Sequence, residues 1–194
     1  MTDDTRPKRA DAQRNQARVL EAAEAVLARD GLSASMRTIA EQAGVGLGTI
    51  YRHFPTQAAL YQAVIMDRVQ RLVAEAGRLA AAAEPGPAFF AFFDGIVENA
   101  TRKKVLADAV ADAGLDPKAG TADVAADMRA AIAGLLARAQ ADGAVREDLQ
   151  MAELLALLSA TCLAAERNQW SRELRIRTLA VVFDGLRRTP HDNE

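Results

Sequence analysis

"MRTIAEQAGVGLGTIYRHF", residues 36–54, decides how the rest of the chain is read. Residues 36–43 carry a short helical pattern, with Ile39, Ala40 and Ala43 on one face. Ser35 is placed to cap that helix, and Gly44 to stop it. A second short helix is predicted over about residues 47–54, with Ile50 and Phe54 facing inward at i, i+4. Two short helices joined by a tight turn, with small Ala40 at the crossing, describe a helix-turn-helix. Once Ile39, Val45, Ile50 and Phe54 are given to the core, Thr49, Tyr51, Arg52 and His53 are left facing outward. Gly46 and Gly48 leave the start of the second helix uncrowded, with backbone N–H groups that suit a phosphate. On the residues alone two readings stay open: a helix that reads nucleic acid, and a helical hairpin with a solvated face.

The flanks extend the helical pattern. Upstream, residues 11–29 place Val19, Leu20, Ala23, Val26 and Leu27 on one stripe, and Asp30-Gly31 ends it. Downstream, Pro55 separates the hairpin from the next helix, a long one capped by Thr56 and predicted from 57 to about 83. "EPGP" at 84–87 is the clearest break in the chain and is read as a domain boundary. Helices are predicted beyond it at about 88–101, 103–113, 121–141, 151–169 and 171–187. "GLDPKAG" and "DGAVREDL" are predicted loops. Half of the 194 residues are hydrophobic, yet only 5% are aromatic, and alanine does most of the apolar work. Alternating Val/Ile/Thr-rich runs are scarce, so the predicted class is all-α.

Charge and composition exclude several functions. The net charge of −2 does not suggest a nucleic-acid binder, but its distribution is uneven. Residues 5–60 hold eight Arg or Lys against five Asp or Glu, and the remainder is acidic. That fits a protein touching an anion with one end, and equally fits charge scatter. No run of 18 uncharged apolar residues suggests a membrane span, and the polar start lacks a signal-peptide core. With a single cysteine, Cys162, no internal disulfide or Cys-based zinc site is expected. A cytoplasmic protein without cofactor or metal is the expectation. No phosphate loop, serine elbow or metal-spaced His pair is present, so an enzyme is not expected.

"MRTIAEQAGVGLGTIYRHFPTQAALYQAV", with "ARVLEAAEAVLARDGLSAS" upstream, resembles the DNA-binding signature of TetR-type transcriptional regulators. The match covers about residues 14–66; beyond that the likeness lies in length, helical character and the paired apolar helices at the end. The resemblance implies a flexible basic arm over 1–13, a helix-turn-helix domain over 14–56 and a connecting helix over 57–84. A ligand-binding and dimerisation domain over 85–188 and a tail over 189–194 complete it. It further implies a homodimeric repressor whose partner is a palindromic double-stranded operator, released by a small-molecule effector; the alternative is a helical interaction protein or a ligand-independent regulator or activator. Arg37 and Thr38 then fall where the second helix approaches DNA. Gly48, Thr49, Tyr51, Arg52 and His53 fall on the recognition helix, with Tyr51 and His53 near phosphate and Thr49 and Arg52 nearer the bases.

Two positions depart from the family pattern. Gly46 replaces a common Ser and loses a side-chain cap; Gln57 replaces a common Lys and loses a phosphate-seeking charge. The basic residues Arg6, Lys8 and Arg9 could follow the DNA backbone, or form a disordered solubilising tail. For dimerisation, Leu154, Leu155, Leu158 and Cys162 form one stripe, and Leu174, Thr178, Val181, Val182 and Leu186 another. Paired, they would make a four-helix bundle across two copies; alternatively both stripes bury within one subunit. The implied effector cavity would be contacted by Phe92, Ile96, Asn99, Met128, Thr161, Cys162 and Glu166. An apolar lining of that kind suits a hydrophobic or amphipathic small molecule, although core packing explains the phenylalanines as well.

Overall fold

A computed structural model of the chain describes residues 6–81, 84–112 and 122–188. The predicted loop "GLDPKAG" and the 189–194 tail lie outside the described residues. The elements run α1 (Arg6–Asp30), a 3-10 turn (Gly31–Ser33), α2 (Met36–Ala43), α3 (Leu47–His53) and α4 (Gln57–Ala80). They continue with α5 (Pro85–Asp112), α6 (Ala122–Ala141), α7 (Met151–Arg167) and α8 (Arg172–Leu186). The class is all-α: among the described residues the extended pairing is one isolated antiparallel bridge, Val145 to Arg187. No described helix is long and apolar enough to cross a membrane.

Two compact units emerge, Met1–Arg68 with Val105–Ala119, and Val69–Lys104 with Gly120–Glu194. In the first, the α1 stripe of Val19, Leu20, Ala23, Val26 and Leu27 is buried against Ile39, Ala40, Ile50 and Phe54. Leu60, Tyr61 and Val64 on the opening turns of α4 close that core. In the second, Phe89, Phe92, Phe93 and Val97 of α5 pack with Leu135 of α6, Leu154 and Leu158 of α7, and Leu179 and Leu186 of α8. The Arg175 Nε of α8 lies 2.9 Å from Asp94 Oδ1 of α5, and the Arg187 guanidinium stacks 5.2 Å from the centre of the Phe90 ring.

Three boundaries differ from the sequence expectation. α1 starts at Arg6, so residues 6–13 are helical rather than a flexible arm. Pro7 falls in the first turn, where a missing N–H costs nothing, and the following Ala, Gln and Arg favour helix. The two helices predicted across 88–113 are a single helix, α5. Nothing between Gly95 and Asp112 breaks a helix: the basic run "TRKK" changes charge, not backbone preference. Pro85 and Pro87 occupy its first turn, so "EPGP" separates α4 from α5 by starting a helix. α4 stops at Ala80, slightly short of the expected end.

Candidate nucleic-acid interface

The hairpin is assembled by local caps. Ser35 Oγ accepts from the Thr38 N–H at 3.0 Å and shares a 2.8 Å hydrogen bond with the Thr38 hydroxyl. Such a cap contributes about 1 kcal/mol. Gly44 ends α2 in the left-handed region (φ 63°), donating to Ala40 and Glu41. A β-carbon there would be strained and would lie 2.9 Å from Arg18 Nη2. Arg18 in turn donates to the Ala43 carbonyl at 2.7 Å, binding α1 to the end of α2 where a cation is favoured. α3 then begins at Gly46, which offers no side-chain cap.

The division of side chains on α3 is sharp. Ile50 is completely buried and Leu47 half-buried, and Phe54 anchors the C-terminal end. Gly48, Tyr51, Arg52 and His53 are exposed, Tyr51 at 48%, and Thr49 is half-buried. Arg37 on α2 is exposed too, whereas Thr38 is half-buried with its hydroxyl engaged at the cap. The outward row therefore offers two guanidinium groups, a phenol, an imidazole and a hydroxyl. These are donor types that phosphate oxygens and base edges accept. A β-carbon built on Gly48 meets nothing within 4 Å, so the fold itself does not require glycine there.

Gln57 has a structural task that the sequence did not reveal. Its Nε2 donates to the Ala34 carbonyl at 2.5 Å and to the Tyr61 hydroxyl. Tyr61 also donates to Ala34 at 3.3 Å. Burial raises the Tyr61 pKa above its ordinary value, and the Gln57 hydrogen bond partly opposes that. The missing lysine charge is thus replaced by a strut between α4 and the loop before α2.

In the second unit, an apolar cavity of about 10 Å³ is lined by residues including Phe92, Ile96, Leu154 and Leu158. Of the expected effector contacts it brings together Phe92 and Ile96. Asn99 and Thr161 instead hydrogen-bond to their own helices, at the carbonyls of Gly95 (2.8 Å) and Leu157 (2.7 Å). Met128 and Cys162 are half-buried against the core, and Glu166 is half-buried. The expected dimer stripes divide in a similar way. Leu154, Leu158 and Leu186 are buried in the chain's own core. Leu155, Thr178 and Val182 are half-buried. Leu174 and Val181 are exposed, Val181 at 74%. Sequence reasoning missed Leu157, Leu163 and Ile176, apolar side chains also left in solvent. The helical period identified two apolar faces but could not say which one the subunit consumes.

Comparison with known proteins agrees with this geometry. Residues 19–64 match the model of bacterial regulatory proteins of the tetR family. Residues 84–188 match the SbtR-like C-terminal domain of transcriptional regulators. A TetR regulator from Mycobacterium vanbaalenii superposes with a TM-score of 0.78 at 43% identity, over 93% of this chain and 99% of that one. The Streptomyces coelicolor regulator SCO0520 gives 0.76 at 35%, over 90% and 99%. The transcriptional repressor KstR of Mycobacterium tuberculosis is 30% identical over 68% of this chain. The matched stretch spans 60% of that repressor, and 65% of its Mycolicibacterium smegmatis counterpart. With both halves matched by models of such regulators and α3 inside the first matched stretch, the chain belongs to the TetR family of transcriptional regulators.

Proposed function

We propose that the protein is a homodimeric, cytoplasmic repressor that reads a pseudo-palindromic operator. The observation that carries this reading is the two-sided α3: Ile50 is locked in the core while Gly48, Thr49, Tyr51, Arg52 and His53 line the outer side. Arg52 and Thr49 contact base edges; Tyr51, His53 and Arg37 contact phosphate. One seven-residue helix is too short to specify a site. Two copies related by a two-fold axis place two such helices in successive major grooves, about 34–36 Å apart. The second copy docks on the exposed apolar side chains of α7 and α8, chiefly Leu163, Leu174 and Val181.

A hydrophobic effector that releases the operator is the accompanying part of the reading. The wholly apolar lining around Phe92 and Ile96 favours a ligand of that character. The cavity at Phe92 and Ile96 has room for one water-sized group, so an effector at that place enters by displacing its lining side chains. That small volume favours a second reading, a repressor that no ligand releases.

Selecting bound duplexes from a random pool tests the function. A palindrome with half-sites one helical turn apart is expected. Enrichment of no sequence would refute operator recognition. Titrating the selected duplex with hydrophobic compounds that shift the melting temperature separates the two readings: released DNA supports the effector, retained DNA the ligand-free regulator.

A further inference from the structure

The face that α4 turns to the first core follows an apolar rhythm: Leu60, Tyr61, Val64 and Ile65 are all buried. The next place in that rhythm, four residues after Val64, is taken by Arg68. It is only 8% exposed, and its Nε lies 2.9 Å from Glu24 Oε1 on α1. A cation standing where the pattern calls for an apolar residue breaks a local rule without an evident gain in stability. Replacing a buried ion pair by well-packed apolar side chains is often neutral or stabilising. What such a pair does supply is register. Apolar contacts along a helix tolerate small rotation and sliding, whereas moving a buried guanidinium away from its carboxylate leaves a charge uncompensated.

A second polar tie holds the same stretch at its other end, where Gln57 and Tyr61 both donate to the Ala34 carbonyl. Between Gln57 and Arg68 the helix rises about 16 Å. One pin ties α4 to α1 and the other ties it to the loop before α2, and at that separation the two restrain both its rotation and its axial position in the first unit. α1 is also the element to which Arg18 binds the end of α2, next to the turn leading into α3. We propose that the Arg68–Glu24 pair, with the Gln57–Tyr61–Ala34 strut, is a register latch that fixes the attitude of α3 for DNA. Arg68 and Glu24 touch no DNA in this scheme; they are positioning residues, and the consequence for operator binding rests on the function proposed above.

The test uses the full-length chain with Glu24→Gln, Arg68→Met and the charge-swapped double variant Glu24→Arg/Arg68→Glu. Glu24→Gln keeps shape at a partly exposed position, so it reports even where Arg68→Met fails to fold. Hydrogen exchange of the free protein over residues 57–68 reads the latch without DNA. Fluorescence anisotropy on the selected duplex and on a scrambled one reads the consequence. Expected are at least tenfold faster exchange over 57–68 in each single variant and at least tenfold weaker operator binding. Scrambled-duplex binding should change less than threefold, and the swapped double variant should recover part of both losses. Folded single variants with wild-type exchange and wild-type operator affinity overturn the latch. Accelerated exchange with unchanged operator affinity overturns its positioning role. A wild-type chain that prefers no duplex refutes the operator reading instead, and the exchange result then decides the latch alone.

Discussion

α3 and α8 both bury one face and leave another in solvent, but they leave opposite chemistry behind. α3 exposes a phenol, a guanidinium and an imidazole around a completely buried Ile50. α8 exposes Leu174, Ile176 and Val181 while Leu179 and Leu186 fill the core. Polar donors in water cost nothing to display and pair with an anionic, hydrogen-bonding partner. Apolar side chains in water gain by being covered, so a surface of this kind suits another protein surface. In the function proposed above, α3 meets nucleic acid and α8 a second copy.

The comparison breaks first at the anchors. Ile50→Ala and Leu154→Ala should each cost about 2–5 kcal/mol, because each empties a fully buried site. Thermal melting checks this, and a wild-type melt for either would mean the buried face is wrongly assigned. If the protein dimerises as proposed, Leu154→Ala should leave the dimer intact, since Leu154 faces its own core.

The exposed apolar face gives the next effect. Val181→Glu should raise the dimer dissociation constant about 100-fold, or about 2.7 kcal/mol, while the secondary structure persists. Sedimentation velocity reads the shift, and an unchanged dimer would remove α8 from the interface.

On α3, Arg52→Ala should weaken operator binding by about 1–3 kcal/mol and leave the melting temperature unchanged. Equal losses on operator and scrambled duplex would move Arg52 from the bases to the phosphates. The smallest effect is the most discriminating. Gly48→Ala should stabilise the fold by up to about 1 kcal/mol, since open space surrounds the new methyl group. The same change should weaken operator binding if the backbone there approaches DNA closely. Calorimetry and anisotropy on one sample separate the two.

Much of the first unit was legible in the sequence. Ser35, Gly44, Pro55 and Thr56 each act within four residues of their own position, and local rules suffice for them. Ile50 and Phe54 could be sent inward, and Tyr51 and Arg52 outward, because a short helix beside a defined turn has few ways to pack. The strut made by Gln57 was not legible because one of its partners is distant: the Ala34 carbonyl lies 23 residues back in the chain. Arg68 was passed over for the same reason, although a charge in an apolar rhythm is itself a signal. In the second unit, α7 and α8 are apolar on more than one side, so periodicity could not rank Leu158 against Leu163. The pattern predicts separate helices at about 88–101 and 103–113, and α5 runs through both.

The sequence by itself determined the all-α class, the helix-turn-helix and the side chains that α3 turns outward. These follow from period, caps and turn residues, which act over a few bonds. Only the tertiary structure decided that α5 is one helix and that Leu154, Leu158 and Leu186 fill the chain's own core. It alone paired Arg68 with Glu24. The physical reason is range: hydrogen bonding and helix propensity are settled between near neighbours. Which apolar face is consumed, and which buried charge is matched, depends on elements that meet only after the chain has folded.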